Sequence, residues 1–374
     1  YSNFDIQARI YLKDKLKSLG AKVHTDFAGN VIAFYEGNKQ NLKPISFGSH
    51  IDAVPNGGHY DGQVGVIASI EVLETIISKN IKLDHPLEMI IFSNEEGALL
   101  GSRALAGKIN EGTLMVKTVS GYTNGEGVNR IGGDSNKIFE VKRAQGDIHA
   151  FLEMHIEQGN KLYKNNIDIG IVEGIVGLRW WDVNIYGFAN HAGTTPMNFR
   201  KDPMMGAARI ITELREIVLK QPGAVGTVGR LETTPASINS IPGQVFFTVD
   251  TRHPNEETLA QINLDLKNLV NSVCSEEGLE NEFKNIWEAP TLNFHEECIS
   301  KVRNAAESLG YSHRDIVSGA GHDACQVNRV APTGMIFIPC ENGLSHDEAE
   351  NTTPEQVAAG ADVLLHVVLA SACN

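Results

Sequence analysis

The chain has 374 residues, and at about 100–200 residues per domain this length predicts two domains, or three. Hydrophobic residues make up 42% and charged residues 21%, which is typical of a globular protein. The formal net charge of −14 argues against nucleic-acid and anionic-membrane partners, because phosphate groups are bound by basic stripes.

Cysteine usage and hydropathy limit the compartment. The five cysteines are scattered and odd in number, which favours free thiols in a reducing compartment and predicts a cytoplasmic protein. No apolar run approaches about 18 residues, so we expect no membrane span. The sequence starts at Tyr1 without Met, and a helical pattern follows almost at once, so we expect a short N-terminal piece to precede it.

Strand and helix patterns alternate in the first half of the chain. Apolar runs lie at 44–47, just before His50, and at 87–92, and each is followed by polar residues and then by a helical pattern, at 64–77 and 99–106. A third strand pattern, at 149–156, also runs into a polar end. This order predicts an α/β fold with a mostly parallel sheet covered by helices.

The pattern changes at about Gly177. Strand and helix patterns then follow in the order β-α-β-β-α-β, at 181–185, 202–219, 225–232, 245–252, 256–273 and 282–287. This order predicts an inserted ferredoxin-like domain at 176–288, with 1–175 and 289–374 forming the catalytic domain. The weakly patterned segment 112–146 is predicted to be surface connection, and a final helix is predicted to begin at the N-cap Thr353.

Histidines and carboxylates follow several of the predicted strands. They are His50 with Asp61, the pair Glu95 and Glu96, His155, and His346. Imidazole and carboxylate together suit Zn²⁺, Mn²⁺ and similar ions. Three imidazoles and two acids exceed what one tetrahedral ion with an open position needs. They suffice for two ions about 3.5–4 Å apart if one carboxylate bridges them.

The roles of the two adjacent glutamates differ. Neighbouring side chains point to different sides of the backbone, so Glu95 and Glu96 are not expected to bind the same ion. The expected division is one ligand and one proton-transfer residue. Asp52 is placed to orient the His50 imidazole with its carboxylate. Alone, each of these residues is more often structural or solvated, and only their recurrence at strand ends favours a site.

Short motifs carry a more specific signal. In chain order they are Gly48-Ser-His50-Ile-Asp52, Gly57-Gly-His-Tyr-Asp61-Gly, Asn94-Glu-Glu96-Gly, His155-Ile-Glu-Gln158-Gly, Asn190-His191-Ala-Gly, Asn239-Ser-Ile-Pro-Gly, Asp250-Thr-Arg252 and Ser318-Gly-Ala-Gly-His322-Asp. By these motifs the chain resembles the hydantoinase/carbamoylase branch of the M20 metallopeptidase-like amidohydrolases over nearly its whole length. N-carbamoyl-L-amino-acid hydrolases, β-ureidopropionases, and allantoate and ureidoglycolate amidohydrolases belong to this branch.

The resemblance implies a cofactor and a role for each motif. It implies two divalent ions (Zn, Mn, Co or Ni) per subunit, held by His50, Asp61, Glu96, His155 and His346. Asp61 would bridge the ions and Glu95 would be the general base and acid. The inserted domain would be the dimerisation lid of a homodimer, and its His191 would stabilise an oxyanion in its own or the partner subunit's site. The implied substrate contacts are Gln158, Asn239, Arg252 and His322.

Four hypotheses about function follow. The first is hydrolysis of a small ureido acid, either an N-carbamoyl-L-amino acid or allantoate (or ureidoglycolate), in which Glu95 takes a proton from water and returns it to the leaving nitrogen. The second keeps the fold but cleaves a peptide, as in M20 aminopeptidases and dipeptidases. A cysteine hydrolase that uses Cys325 or Cys340 is the third. The fourth, a non-catalytic binding relative, would lack at least one of the five ligands, and none is missing.

Overall fold

Apolar runs of the first half form central strands, and the helical patterns between them form covering helices. The computed structural model describes residues 1–39, 41–97 and 99–373. The chain forms two compact units, Tyr1–Glu173 with Asn293–Asn374, and Gly174–Leu292. The predicted domain boundaries, after residues 175 and 288, lie two and four residues from these divisions.

The first unit combines helices with a large sheet. Its elements before the insertion are α1 Asn3–Ser18, β1 Lys22–Thr25, β2 Val31–Tyr35, β3 Ile45–His50, α2 Gln63–Ser78, β4 Leu87–Phe92, α3 Leu100–Leu105, α4 Glu111–Met115, α5 Asn124–Arg130, β5 Ala150–Ile156, α6 Lys161–Asn165 and β6 Ile169–Ile175. The second unit contains β7 Gly177–Tyr186, β8 Asn190–His191, α7 Pro203–Leu219, β9 Val225–Thr227, β10 Leu231–Thr234, β11 Ser240–Ile241, β12 Gln244–His253, α8 Glu256–Glu277 and β13 Glu280–Ala289. The first unit resumes with β14 Leu292–Asn293, α9 Glu296–Leu309, β15 His313–Ser318, α10 Asp323–Val327, β16 Thr333–Ile338 and α11 Pro354–Ala372.

The large sheet is mixed rather than mostly parallel. Its strand order is β1-β2-β4-β3-β5-β16-β6-β14, and β15 pairs with β6. The central strands β4, β3, β5 and β16 are parallel to one another, whereas β1, β2 and β6 pair antiparallel. The prediction of a mostly parallel sheet was therefore wrong outside the centre, because strand direction is decided by pairing and not by local apolar pattern. Every residue of the four central strands is buried, so both faces of the sheet centre are covered.

The segment 112–146 is more structured than predicted. It contains the short helices α4 and α5 and a 3-10 turn at Ile138–Val141. Val128, Ile131 and Ile138 are buried in a small apolar cluster that also contains Tyr1 and Leu100. Helices of fewer than eight residues have too few apolar positions for a helical period to be recognised in the sequence.

The last helix of the first unit bears on the expectation of no membrane span. By length and composition, α11 could cross a membrane, and it is the one helix of this kind among the described residues. A single helix of this kind is weak evidence for a membrane span. The apolar face of α11, which includes Val363, Leu364, Val367 and Val368, is buried inside the first unit. A core helix meets the same criteria of length and composition.

The second unit is an antiparallel sheet with two helices. The strand order is β10-β12-β7-β13, and β9 also pairs with β12. Alternate residues of β12 are buried, and they form a core with apolar residues of α7 and α8. The predicted single strand at 225–232 is two strands, β9 and β10. A separate two-residue ladder joins β8 to β11 and places Ser240 opposite His191.

Candidate metal centre

The predicted ligands of the first unit meet at one edge of its sheet. β3, β4 and β5 are parallel, and His50, Glu95 and His155 lie at or just beyond their carboxyl ends. Ligands of α/β proteins collect outside this edge. Non-glycine residues with left-handed φ flank the site, at Asn94 (53°) and His346 (57°). Such backbone strain is concentrated at functional sites.

Asp61 is shared by two groups of side chains. Its Oδ1 lies 3.1 Å from His155 Nε2 and 3.5 Å from His50 Nε2. Its Oδ2 lies 3.2 Å from His346 Nε2, and the same nitrogen is 3.7 Å from Glu96 Oε2. Each group, His50–Asp61–His155 and Asp61–Glu96–His346, has the spacing needed to hold one metal ion.

The two buried imidazoles are oriented by main-chain carbonyls. His50 Nδ1 is 3.0 Å from the carbonyl oxygen of Asp52, and His155 Nδ1 is 2.9 Å from that of Ile156. A carbonyl oxygen only accepts, so both Nδ1 atoms donate and both Nε2 atoms face Asp61. This is the arrangement of metal-binding histidines. Gly62, with φ of 68°, allows the close approach, since a Cβ there would overlap the His50 ring.

Asp52 supports the site differently from the prediction. Its carboxylate does not bond His50, because Oδ1 is 3.9 Å from His50 Nδ1. Instead, Oδ1 and Oδ2 accept hydrogen bonds from the backbone N–H groups of Glu95 (3.2 Å) and Glu96 (3.0 Å). Asp52 therefore orients His50 through its carbonyl oxygen and fixes the glutamate turn through its carboxylate.

Burial and the neighbouring imidazoles shift the pKa values of the acids around this centre. Burial disfavours the charged form of Asp61, but the adjacent imidazoles of His155 and His50 hold the pKa of Asp61 well below its usual range. Burial raises the pKa of Glu95 well above its usual range, although the neighbouring His50 imidazole opposes this. One carboxylate is thus kept charged, and the other favours holding a proton.

A buried ligand atom without a hydrogen-bond partner indicates a cation site. Glu96 Oε1 is buried and has no hydrogen-bond partner in the described part of the chain. Imidazole nitrogens and carboxylate oxygens are the donors that divalent transition ions prefer. The donor set and this orphaned oxygen therefore fit two divalent ions that share Asp61.

Gln158 and His322, two predicted substrate contacts, lie against the candidate ligands. Gln158 Nε2 donates to Asp61 Oδ2 (2.7 Å) and to Ser345 Oγ (3.2 Å). His322 is 1% exposed, is hydrogen-bonded to Ser318 Oγ (3.1 Å), and packs its ring edge-on against His155. In this structure both predicted substrate contacts are side chains that pack around the candidate ligands, and burial leaves His322 almost no surface for a substrate.

Three predicted substrate residues lie on the second unit. His191 is exposed, and its Nδ1 accepts hydrogen bonds from the backbone N–H groups of Gly193 (3.0 Å) and Thr194 (3.2 Å). In the neutral ring the proton is therefore on Nε2, and this nitrogen can donate a hydrogen bond to another group. Asn239, also exposed, lies beside His191 because its carbonyl oxygen accepts from Ala192 N (3.0 Å).

Arg252 is separated from this pair within one chain. It pairs with Asp250 (2.8 Å) near the far end of β12. At about 3.4 Å per residue, Arg252 is roughly 27 Å from Gln244, where β12 begins after the β11 segment. Asn239 and Arg252 of the same chain therefore lie too far apart to hold one carboxylate together.

Several supporting residues were not found from the sequence. Glu153 is buried, and it accepts hydrogen bonds from Ser49 Oγ (2.7 Å) and Ala324 N (2.8 Å). Glu350 is also buried and bonds the backbone at Asp61. The alternation of β5 placed Glu153 on the same face as His155, but no local signal marks Glu350.

Burial disfavours Cys325 and Cys340 as nucleophiles. Burial raises the pKa of Cys325 to about 12, and the same cause raises that of Cys340 to about 12. A thiol with such a pKa remains protonated near neutral pH and is a poor nucleophile. The structure therefore disfavours the hypothesis of a cysteine hydrolase.

Comparisons with known proteins agree with the geometry. The family model of Peptidase family M20/M25/M40 matches residues 46–370. An N-carbamoyl-L-amino acid amidohydrolase of Geobacillus stearothermophilus is 37% identical over 372 residues, covering 97% of this chain and 90% of the relative. An allantoate amidohydrolase of Bacillus subtilis is 32% identical, with 97% of this chain and 90% of the relative covered. A solved hydantoinase/carbamoylase family amidase of Burkholderia multivorans is 40% identical with a TM-score of 0.93, covering 100% of this chain and 92% of the other.

The chain belongs to Peptidase family M20/M25/M40. Within that family, the resemblance to the hydantoinase/carbamoylase amidohydrolases is confirmed, and the protein is a hydrolase of carbon–nitrogen bonds.

Proposed function

We propose that this protein hydrolyses the ureido group of an N-carbamoyl-L-amino acid and uses two divalent ions per chain. The observation that carries the proposal is the position of Asp61, whose two oxygens face two different candidate ligand groups. The similarity to N-carbamoyl-L-amino-acid amidohydrolases supports the choice of substrate. Hydrolysis of this group releases ammonia, carbon dioxide and the amino acid.

The ions would be held by His50, Asp61 and His155 on one side and by Asp61, Glu96 and His346 on the other. When bound, they supply Lewis-acid polarisation of the ureido carbonyl and a lowered pKa for water. This donor set accepts Zn, Mn, Co or Ni, and selection among them follows availability.

Glu95 moves the proton. Its Oε2 lies 3.9 Å from His50 Nε2, beside the place where the ions would sit. Burial favours the protonated form of Glu95. A carboxyl that has taken a proton from water therefore holds this proton until it transfers it to the leaving nitrogen. Glu96 is fixed on the same turn by Asp52 and provides the ligand.

The second unit would provide the dimerisation lid. Its strand order, β13-β7-β12-β10, and the sequence of its elements support a ferredoxin-like domain. His191 Nε2 would donate to the developing oxyanion, and the Arg252 guanidinium would hold the substrate carboxylate. Since these two residues lie far apart on one chain, we propose that His191 and Asn239 serve the site of the partner subunit in a homodimer. The free thiols are consistent with a cytoplasmic location.

Hydrolysis of allantoate or ureidoglycolate is the second candidate, favoured by the 32% identity to an allantoate amidohydrolase. A substrate panel separates the candidates. The protein loaded with Mn²⁺ or Zn²⁺ would be given N-carbamoyl-L-amino acids, allantoate, ureidoglycolate and dipeptides, and kcat/KM would be measured for each. The highest value is expected for an N-carbamoyl-L-amino acid. Turnover of dipeptides alone would contradict the proposal.

A further inference from the structure

A buried carboxylate joins the two loops that carry the second ligand group. Glu350 is 4% exposed, although it follows His346 by only four residues in a polar turn. We propose that Glu350 is a positioning residue that holds the second ligand group, Asp61–Glu96–His346, in place. This inference rests on the proposal of two ions per chain.

The hydrogen bonds of Glu350 define its role. Its Oε1 accepts from the backbone N–H groups of Tyr60 (3.0 Å) and Asp61 (3.0 Å). Its Oε2 accepts from Ser345 Oγ (2.9 Å), which is also 3.3 Å from Asp61 Oδ2. Both oxygens are therefore occupied, so Glu350 acts through its neighbours rather than on an ion or a substrate.

These contacts link residues that are distant in sequence. Glu350 and Asp61 are separated by 289 positions. Ser345 precedes His346, so a single carboxylate fixes the backbone of the shared ligand and the turn that bears the third imidazole. His346 is half exposed and has left-handed φ, so fewer packing contacts restrain it than restrain His50 or His155. The second group therefore depends on this hydrogen-bonded frame more than the first group does.

The consequence of removing the carboxylate differs between the two groups. Without Glu350, the backbone N–H groups of Tyr60 and Asp61 lose the side-chain oxygen that accepts from both of them. His50 and His155 keep their own carbonyl partners and remain in place. Loss of a residue that orients a ligand commonly weakens metal binding about 10–100-fold. We expect that loss for one ion and a smaller change for the other.

The test measures metal binding without a substrate. Glu350→Gln and Glu350→Ala would be stripped of metal and titrated with Zn²⁺ by calorimetry, with bound metal counted after equilibration at a fixed free Zn²⁺ concentration. Wild type is expected to bind two ions and Glu350→Gln one tightly bound ion. Glu88→Gln is the matched control, since Glu88 is a buried glutamate that bonds Ser46 and Arg143 elsewhere on the sheet.

A second variant leaves the carboxylate intact but moves it. A Cβ at Gly58 would overlap the Glu350 side chain, so Gly58→Ala is expected to reproduce the loss of one ion. Gly125→Ala, where a Cβ meets only ordinary contacts from 3.5 Å, is its control. If Glu350→Ala fails to fold, Glu350→Gln and Gly58→Ala decide the question.

Each outcome has one meaning. Two ions in wild type and one in Glu350→Gln and Gly58→Ala support the inference. Two ions bound with unchanged affinity in both variants would overturn it, and so would an equal weakening of both ions, which indicates a general structural role. Fewer than two ions in wild type would overturn the proposal of two ions instead.

Discussion

The carboxylate of Asp61 contacts imidazoles on both of its sides, and no other acid among the described residues belongs to both ligand groups. Burial disfavours its charged form, but the neighbouring imidazoles of His155 and His50 lower its pKa and keep it charged. A single side chain therefore determines whether two cations can lie next to each other. Glu95 follows the neighbouring strand. Its carboxyl belongs to neither ligand group, so Glu95 does not share this role.

Replacement of Asp61 tests its shared position. Asp61→Ala is expected to lose both bound metal ions and all measurable turnover, because each ligand group loses one of its three members. Metal analysis after equilibration and a turnover assay give the two readings. Retention of two ions by the variant would show that Asp61 does not bridge them.

Replacement of Glu95 separates proton transfer from metal binding. Glu95→Gln is expected to keep both ions and to lower kcat by about 10²–10⁴-fold, the usual size of a general acid–base contribution. The amide has nearly the same shape but cannot take a proton from water. Activity close to that of wild type with full metal content would remove Glu95 from this role.

At the scale of elements, the apolar strands and the polar turns after them were predictable. The strands that end at His50 and Phe92 are rich in apolar residues because both of their faces are buried, and the candidate ligands lie at or just beyond their ends. The strands β6 and β15 were not predicted, since glycines interrupt the first and polar residues the second. Strand direction was predicted wrongly for the outer strands, because it depends on pairing between distant segments.

The start of α11 could be predicted from local sequence alone. Thr353 is the N-cap, its side chain accepts from Gln356 N (3.3 Å), and the Gln356 side chain accepts in return from Thr353 N (2.9 Å). Because both partners lie within one turn, the capping box was readable in the sequence.

Loss of this cap has a measurable effect. Thr353→Ala is expected to destabilise the protein by about 1 kcal/mol and to lower the midpoint of urea unfolding, because a helix N–H loses its acceptor. Thr212→Ala, at an exposed mid-helix threonine, is the matched control and should not lower the midpoint. An unchanged midpoint in Thr353→Ala would show that the box contributes nothing to stability.

At the scale of the whole molecule, long-range contacts decide what local patterns cannot. The hydrogen bond between Glu350 and Asp61 spans almost the whole first unit, so no window of sequence could reveal it. The separation of Arg252 from Asn239 is of the same kind, since it follows from the register of β12 with β7. The candidate ligands were predictable because each lies at or after the end of a strand. The residues that hold them in place, such as Glu350, were not predictable.

Mixing of inactive variants tests the proposed sharing between subunits. His191→Ala and Arg252→Ala are each expected to be inactive alone, and their 1:1 mixture is expected to recover about a quarter of wild-type activity. In a two-fold symmetric dimer that forms at random, half of the molecules are mixed, and each of these has one intact site. Absence of recovery, with subunit exchange verified, would place both residues in the site of their own chain.

The central claim is that two ions sharing Asp61 support hydrolysis of an N-carbamoyl-L-amino acid. The most direct measurement strips the protein of metal and returns Mn²⁺ or Zn²⁺ in steps, with ammonia release from an N-carbamoyl-L-amino acid followed at each step. No turnover is expected in the stripped protein, and turnover should reach its maximum at two equivalents of metal per chain. A maximum at one equivalent, or full activity after exhaustive chelation, would contradict the claim.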